Sequence, residues 1–482
     1  MKKTFCRIMG LLLTLCLLVG MLSYLTRVTR LNDEICCYDD YVRHPRNYDV
    51  FFLGNSHMLN GVYPMELWAE SGIASYNMAY SAALMGGLYW VLRCTPAYTI
   101  PKVIVLDTFL INNEDPVSLP YFQEAMACLP FSLNKVRAAY DLCPPGEYSA
   151  EDRAALIWSF TQFHSRWPEL TAADFSAKSA SPFGTYPLVN VANPAKVIST
   201  ADAFKLDDHY PNVLYLRRIA ELCREKNIRL VLTTLPFPAN RDEAMAANGV
   251  AVLAQELGVE YLNMLDLDLV DFQTDLFDSS SHLNVSGALK ATRFLGEYLR
   301  EECGLPDHRG DPVYAAWDTD YLLWRQELTQ KLEEQRVLQR SLMLLSDPNY
   351  ASVIRLAPGS PLFQDVQAKP LLENLCGGAA LPGFDEAAAA GQSYLLLSNQ
   401  SLGIVAEAVG SDVMDTPLGT LRVEPERSRL ALEDKTCSLS AEGDQSASDA
   451  MCFVFTADLD PLPACSHAFA LTGEGVYERS DY

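Results

Sequence analysis

Two side chains in this sequence have the type and setting for nucleophilic chemistry. Ser56 stands in Gly54-Asn55-Ser56-His57, directly after the apolar run Val50-Phe51-Phe52-Leu53. His282 stands far downstream, in Asp278-Ser279-Ser280-Ser281-His282-Leu283-Asn284. A serine hydroxyl is a weak nucleophile at neutral pH and needs an imidazole within hydrogen-bond reach to take its proton. A carboxylate must then fix the imidazole tautomer. Asp278 is the first candidate for that task and Asp275 the reserve. The chemistry of such a set is acyl transfer through an acyl-serine.

The elements around these residues alternate as an α/β fold requires. A glycine after a buried strand lets the backbone turn sharply, and open α/β sheets place their chemistry at the carboxyl ends of the strands. Further strands are expected at Ala74–Ala79, Lys102–Asp107, Arg229–Leu235 and Val259–Met264, with helices between them. Short continuous apolar runs of this kind suit a parallel sheet covered on both faces. Five such strands make a flavodoxin-like three-layer core over residues 49–303. The pattern lapses over residues 112–206, which reads as an inserted subdomain or lid that selects substrate. In such a sheet the first and last strands both end on the active edge, so the loop carrying His282 is expected to reach Ser56.

At these residues the chain resembles the SGNH (GDSL-like) hydrolase superfamily. It is most similar to the branch of membrane-anchored envelope acyltransferases and esterases that includes alginate O-acetyltransferases and D-alanyl-lipoteichoic acid transfer proteins. Gly54-Asn55-Ser56-His57 matches the first block of that family. Tyr76-Asn77-Met78-Ala79-Tyr80-Ser81 resembles the second, and His282-Leu283-Asn284 with Gly287, Ala288 and Thr292 the last. The resemblance covers about residues 48–302. It implies Ser56 as nucleophile, His282 as base and Asp278 as its orienting acid. It also implies Asn77, the Ala79 backbone N–H and Asn284 on the oxyanion or substrate side. Two departures stand out. The aspartate of the family lies three residues before the histidine, where this chain has Ser279. Either the loop bulges by one residue, or the site is a Ser–His dyad, or the triad is degraded; the bulge is the expectation adopted. The family's third block is missing, and Asp107-Thr108-Phe109 stands in its place.

Each candidate also has a structural reading. Ser56 and Asn284 are good helix caps, Asn77 can pin a turn, and His57 beside the nucleophile is expected to be structural. His164 and His209 read as surface histidines, although His209 would touch substrate if the insertion folds over the site.

The rest of the chain supplies an address. Lys2, Lys3 and Arg7 precede the apolar run Ile8–Leu25. Eighteen residues at 1.5 Å rise span roughly 27 Å, enough for a bilayer core. No small-residue cleavage site follows, so residues 1–30 read as an uncleaved single-pass anchor with an extracytoplasmic remainder, and 31–48 as a juxtamembrane linker. A cleaved signal peptide is the alternative. Residues 304–345 read as a linker and, over 318–345, a charged helix, and 346–482 as a small β-rich α+β domain with a helix over 362–375 and no catalytic set. The net charge of −24 argues against a nucleic-acid partner. Of thirteen cysteines, none has CxxC or metal-ligand spacing; neither metal nor cofactor is expected. Cys437, Cys452 and Cys465 lie near enough in sequence to suggest one disulfide.

These features point to an extracytoplasmic acyl-ester hydrolase or O-acyltransferase. Its expected acceptor is a cell-envelope polysaccharide or a teichoic-acid-like polymer. A transferase would also need a multi-pass membrane partner to deliver the acyl donor, since one span cannot carry it. The alternative is a catalytically degraded scaffold or glycan- or protein-binding module in envelope assembly.

Overall fold

A computed structural model of the chain describes residues 2–30, 38–43, 46–96, 100–175, 182–192, 196–441, 443–473 and 476–479. The first element is a helix, Lys2–Thr29, long and apolar enough to cross a membrane and exposed along its apolar stretch. Part of the juxtamembrane linker is helical, Tyr38–Arg43, and Tyr38 donates from its hydroxyl to Met78 O at 2.7 Å.

The chain forms two compact units. The first comprises Met1–Tyr186, Val197–Leu269 and Ala291–Trp317. Its centre is a parallel sheet of β1 (Val50–Leu53), β2 (Ser75–Asn77), β3 (Val103–Asp107), β4 (Arg229–Thr234) and β5 (Glu260–Asn263), in the order β2-β1-β3-β4-β5. This is the flavodoxin-like order, whose switch point lies between the first and third strands. Val50 pairs with Ser75 on one side and Val103 on the other, so β1 and β3 run in step into the turns that follow them. β1 and β3 are buried along their whole length, as continuous Val, Ile, Leu and Phe runs require. The helix Pro64–Ser71 ends on Gly72 in the left-handed conformation, and Arg241–Leu257 begins with a capping box between Asn240 and Glu243. Within residues 112–206 the insertion is largely helical, with Leu119–Cys128, Leu133–Leu142 and Ala150–Ile157 its longest pieces.

The second unit comprises Pro187–Lys196, Val270–Lys290 and Asp318–Tyr482. Two short segments, 187–196 and 270–290, therefore fold with the carboxyl-terminal domain, although the sequence reading places them in the α/β domain. Among the described residues the domain carries ten strands: β6 (Tyr350–Leu356), β7 (Tyr394–Asn399), β8 (Ile404–Val409), β9 (Val413–Thr416), β10 (Gly419–Glu424), β11 (Arg429–Leu432), β12 (Lys435–Ser438), β13 (Ala450–Thr456), β14 (His467–Leu471) and β15 (Tyr477–Arg479). They form two antiparallel sheets, β15-β14-β13-β6-β7-β8 and β12-β11-β10-β9. Val353, Leu397 and Phe453 from the first sheet and Leu421, Leu430 and Leu432 from the second share one core, which makes the domain a sandwich.

Three expectations change. The helix expected over 318–345 is two helices, Ala315–Glu333 and Leu338–Leu345. The chain leaves helical geometry between them to pair with β15, through a Val337–Glu478 bridge and an Arg479 N–H to Arg336 O bond of 2.9 Å. The helix expected over 362–375 is a 3-10 turn followed by Ala368–Leu375, because Asp365 accepts from Gln367 N–H and turns the chain. Cys437, Cys452 and Cys465 are buried free thiols and not a disulfide. Burial pushes the Cys465 thiol up to about 12. Cys128 is disulfide-bonded, and the Cys36-Cys37 pair lies outside the described residues.

Candidate active site

The serine turn belongs to the first unit. Beyond Leu53 the chain reverses over β3 at very close range. A Cβ on Gly54 would lie 2.7 Å from the Met58 Cβ and 2.9 Å from the Asp107 Cβ, so the crossing leaves room only for glycine. A short helix, Ser56–Gly61, follows, and its cap is Asn55: the Asn55 Oδ1 accepts from His57 N–H at 2.9 Å. Ser56 is thus the first helical residue and does not serve as the side-chain cap. It sits half-buried at the carboxyl edge of the sheet.

Asn77 holds this helix to β2. Its Nδ2 donates to Met58 O at 2.7 Å and Val62 O at 3.1 Å, while its Oδ1 accepts from Ala79 N–H at 3.1 Å. Both residues are fully buried. In this structure the Ala79 amide is engaged with the Asn77 side chain, and the Asn77 amide with the backbone of the helix. His57 is also buried, stacked on Phe109 with ring centres 3.7 Å apart and edge-on to Phe237 at 5.0 Å. Those contacts fit a packing role.

Asp107 is the residue whose importance the sequence reading missed. It ends β3, directly beneath the Gly54 crossing, and is 1% exposed. Its Oδ1 accepts from Leu235 N–H at 3.4 Å. Burial raises its pKa from 3.8 to about 7, against the lowering effect of the Leu235, Phe109 and Thr108 amides. The signal available in the sequence was an acid at the carboxyl end of an otherwise apolar central strand.

The histidine loop belongs to the second unit. Residues 276–283 close on themselves: Leu276 bridges Leu283, and Phe277 N–H donates to His282 O at 2.9 Å. Inside this closed loop Asp278 folds back. Its Oδ2 meets the His282 Nδ1 at 2.5 Å. Its Oδ1 accepts from the backbone N–H of Ser280, Ser281 and His282 and from the Ser280 hydroxyl. Burial raises the Asp278 pKa, but the bonds from His282, Ser281 and Ser280 outweigh it and hold the carboxyl well below the usual carboxylate range. The extra serine is absorbed by this Asx-type turn. The carboxylate reaches the imidazole at a spacing of four residues.

Asn284 caps the helix Val285–Glu301, accepting from Gly287 N–H at 3.2 Å. It is fully buried, and its Nδ2 donates to Thr274 O, Asn190 O and Leu276 O. These contacts make it a brace for the loop. Asp275 is likewise a brace. It is fully buried and paired with Lys290 Nζ at 2.7 Å and Ser286 Oγ at 2.7 Å. Asn374 on the carboxyl-terminal domain closes the network, accepting from Lys290 Nζ at 2.7 Å and donating to Ser286 Oγ at 2.9 Å. His164 and His209 are exposed. Among the described residues no group of three or more His, Cys, Asp or Glu side chains is arranged to hold a metal ion.

Comparison with known proteins adds little to this geometry. No family model matches the chain, and no curated protein matches its sequence. Among solved structures, an acetyl xylan esterase from the rumen bacterium Butyrivibrio proteoclasticus is similar at 12% identity with a TM-score of 0.22. The match covers 54% of this chain and 64% of that one, so the chain spans less than two thirds of its length.

Proposed function

We propose that this protein is an extracytoplasmic serine esterase or O-acyltransferase acting on an acyl ester of a cell-envelope glycan or similar polymer. The observation that carries the reading is the Asp278–His282 contact of 2.5 Å within a loop that keeps the carboxylate ionised. An imidazole so held has Nδ1 committed to the carboxylate, which makes Nε2 the nitrogen that takes a proton. In this reading Ser56 Oγ attacks the acyl carbonyl and His282 Nε2 takes the hydroxyl proton. The tetrahedral intermediate then expels the alcohol, which leaves with that proton. Water or a sugar hydroxyl attacks the acyl-serine, giving its proton to His282, and Ser56 recovers a proton as the second intermediate collapses. Hydrolase and transferase differ only in the group that attacks in this second half.

The membrane anchor fits the same reading. The last turn of the first helix is packed into the first unit: Val28, Thr29 and Arg30 are buried, and Arg166 Nη1 donates to Thr29 O at 2.7 Å. A leader destined for removal has no reason to be built into the folded domain. The disulfide at Cys128 fits an oxidising exterior. In the transferase case the acyl donor would come from a multi-pass membrane partner.

One observation favours the second reading, a catalytically silent scaffold. The Ala79 N–H donates to Asn77 Oδ1 and the Asn77 Nδ2 donates to Met58 O and Val62 O, so both expected oxyanion donors are engaged within the protein. The test is a serine-reactive fluorophosphonate applied to the full chain, together with hydrolysis of p-nitrophenyl acetate. The enzyme reading expects covalent labelling that disappears in Ser56→Ala and in His282→Ala. Absence of labelling in the wild-type protein, with folding intact, establishes the scaffold.

A further inference from the structure

The folded part of the first unit reaches some way down the first helix. Leu22 shares a cleft with Phe131 and Trp158. The short turns Phe160–Phe163, His164–Glu169 and Ala172–Phe175 lie against the end of the same helix. Arg166 fixes that contact by donating from Nη1 to Thr29 O at 2.7 Å. Leu22 falls inside the apolar run Ile8–Leu25, two turns before Thr29, or about 10 Å along the helix axis. Side chains that share its cleft therefore sit at the depth of the last turn of the apolar run. A domain on a loose tether would have no such contact.

The side chains gathered around this helix end are large, apolar and open to solvent. Phe131 and Trp158 are half-buried and stacked, with ring centres 4.7 Å apart. Leu133, two residues beyond Phe131, is 71% exposed, Trp167 56% and Phe175 52%. Tyr24 on the helix is exposed too, and the Arg27 guanidinium lies 5.9 Å from its ring centre. Exposed apolar side chains clustered in this way mark an interaction surface. Trp and Tyr, with an apolar body and a polar edge, suit the layer between water and hydrocarbon. The acids within residues 160–175 are Glu169 and Asp174, and both pair with Arg166, at 3.9 Å and 3.2 Å. A net charge of −24 gives the chain no general attraction to an anionic surface, so the contact made here is apolar in kind.

We propose that the rim formed by Tyr24, Phe131, Leu133, Trp158, Trp167 and Phe175 rests in the headgroup layer of the bilayer. It is a second lipid contact, besides the helix, and it seats the α/β unit on the membrane. The occupant is lipid because the rim is continuous with the exposed apolar stretch of the helix. The inference rests on the anchor reading, since only an embedded helix brings the rim to a bilayer. Ser56 belongs to the same unit, so the contact holds the serine at a fixed height over the membrane surface.

The test uses the full chain, reconstituted at low density in phosphatidylcholine vesicles with and without lipid brominated near the headgroup end of its acyl chains. Bromine quenches tryptophan emission only at close range. Of the six tryptophans, Trp68, Trp90, Trp317 and Trp324 are buried and serve as an internal reference. Quenching of up to about one third of the emission is expected, from Trp158 and Trp167. Trp167→Phe is expected to lower the quenched fraction, and Trp158→Phe combined with it to abolish quenching. Should the double variant fail to fold by circular dichroism, Trp167→Phe, at an exposed position, decides the matter. Equal emission with and without bromine, or quenching undiminished in Trp167→Phe, overturns the proposal. Alkaline carbonate extraction of the vesicles tests the anchor separately. Release of the protein defeats the anchor reading and this proposal with it, whereas retention together with equal emission defeats the proposal alone.

Discussion

Asp278 and His282 sit four residues apart in sequence, and their side chains meet at 2.5 Å inside a loop closed by its own backbone. The aspartate needs no partner from another element to be aimed: three backbone amides fix one oxygen and leave the other for the imidazole. Asp278→Asn keeps the shape and removes the charge that selects the tautomer. Turnover of p-nitrophenyl acetate is expected to fall by roughly 10⁴, the scale on which the orienting aspartate acts in serine hydrolases. Unchanged turnover would mean that the imidazole is oriented by something else.

The same aspartate sets an acid limit. Its folded pKa lies below its unfolded value of 3.8, so its stabilising effect is present above that value and is lost as pH falls through the folded pKa. The melting-temperature gap between wild type and Asp278→Asn is expected to be constant from pH 6 to 8 and to close progressively below about pH 4.

Asp107 works with the opposite sign. Its folded pKa, about 7, lies above its unfolded value of 3.8. Stability from this group is therefore full below pH 4, declines as pH rises, and levels off above about 7. The whole shift corresponds to about 4 kcal/mol at most, at about 1.4 kcal/mol per tenfold change in acidity. Asp107→Asn cannot ionise. It is expected to melt higher than wild type at pH 8 and nearly level with it at pH 4. Equal melting at both values would show that the carboxyl is not titrating in the fold.

Asn77 distinguishes bracing from catalysis. Removing its side chain leaves Met58 O, Val62 O and the Ala79 N–H without the partner they have now. Asn77→Ala is expected to lower stability by about 1–3 kcal/mol in chemical denaturation. A residue acting at the oxyanion would instead lose about 10²–10³ in rate with the stability intact.

Lys290 neutralises the fully buried Asp275, and Asn374 bonds to both. Lys290→Met or Asn374→Ala is expected to cost about 1–3 kcal/mol and to expose residues 270–290 to limited proteolysis. Protease resistance equal to wild type would show the loop to be held by its own turns.

The α/β sheet was legible because β1, β3 and the middle of β4 are continuous apolar runs, and such runs suit little besides a doubly covered parallel sheet. The sandwich was harder. Its strands β9, β11 and β12 are four residues each and carry charge on their outer faces, so their alternation is brief and resembles turn sequence. The break at Glu334–Val337 has no local cause in Pro or Gly; it is imposed by pairing with β15 far along the chain. The same holds at the site. Residue type pointed to Asn77, Ala79 and Asn284, but what each does depends on which atoms happen to face it. Asp107 drew notice in the sequence only as the residue standing where a family block was absent, because burial is a property of the fold and not of the letter.

The segment 270–290 folds with the carboxyl-terminal domain through Asp275, Ser286, Lys290 and Asn374. That couples the evolutionary fates of two parts of the gene. A lineage that shed everything after Trp317 would keep the sheet and the serine but lose the partners that brace the histidine loop. The terminal sandwich is accordingly less a detachable accessory than an inheritance tied to the histidine loop: recombination that exchanged it would have to carry a matching residue at position 374.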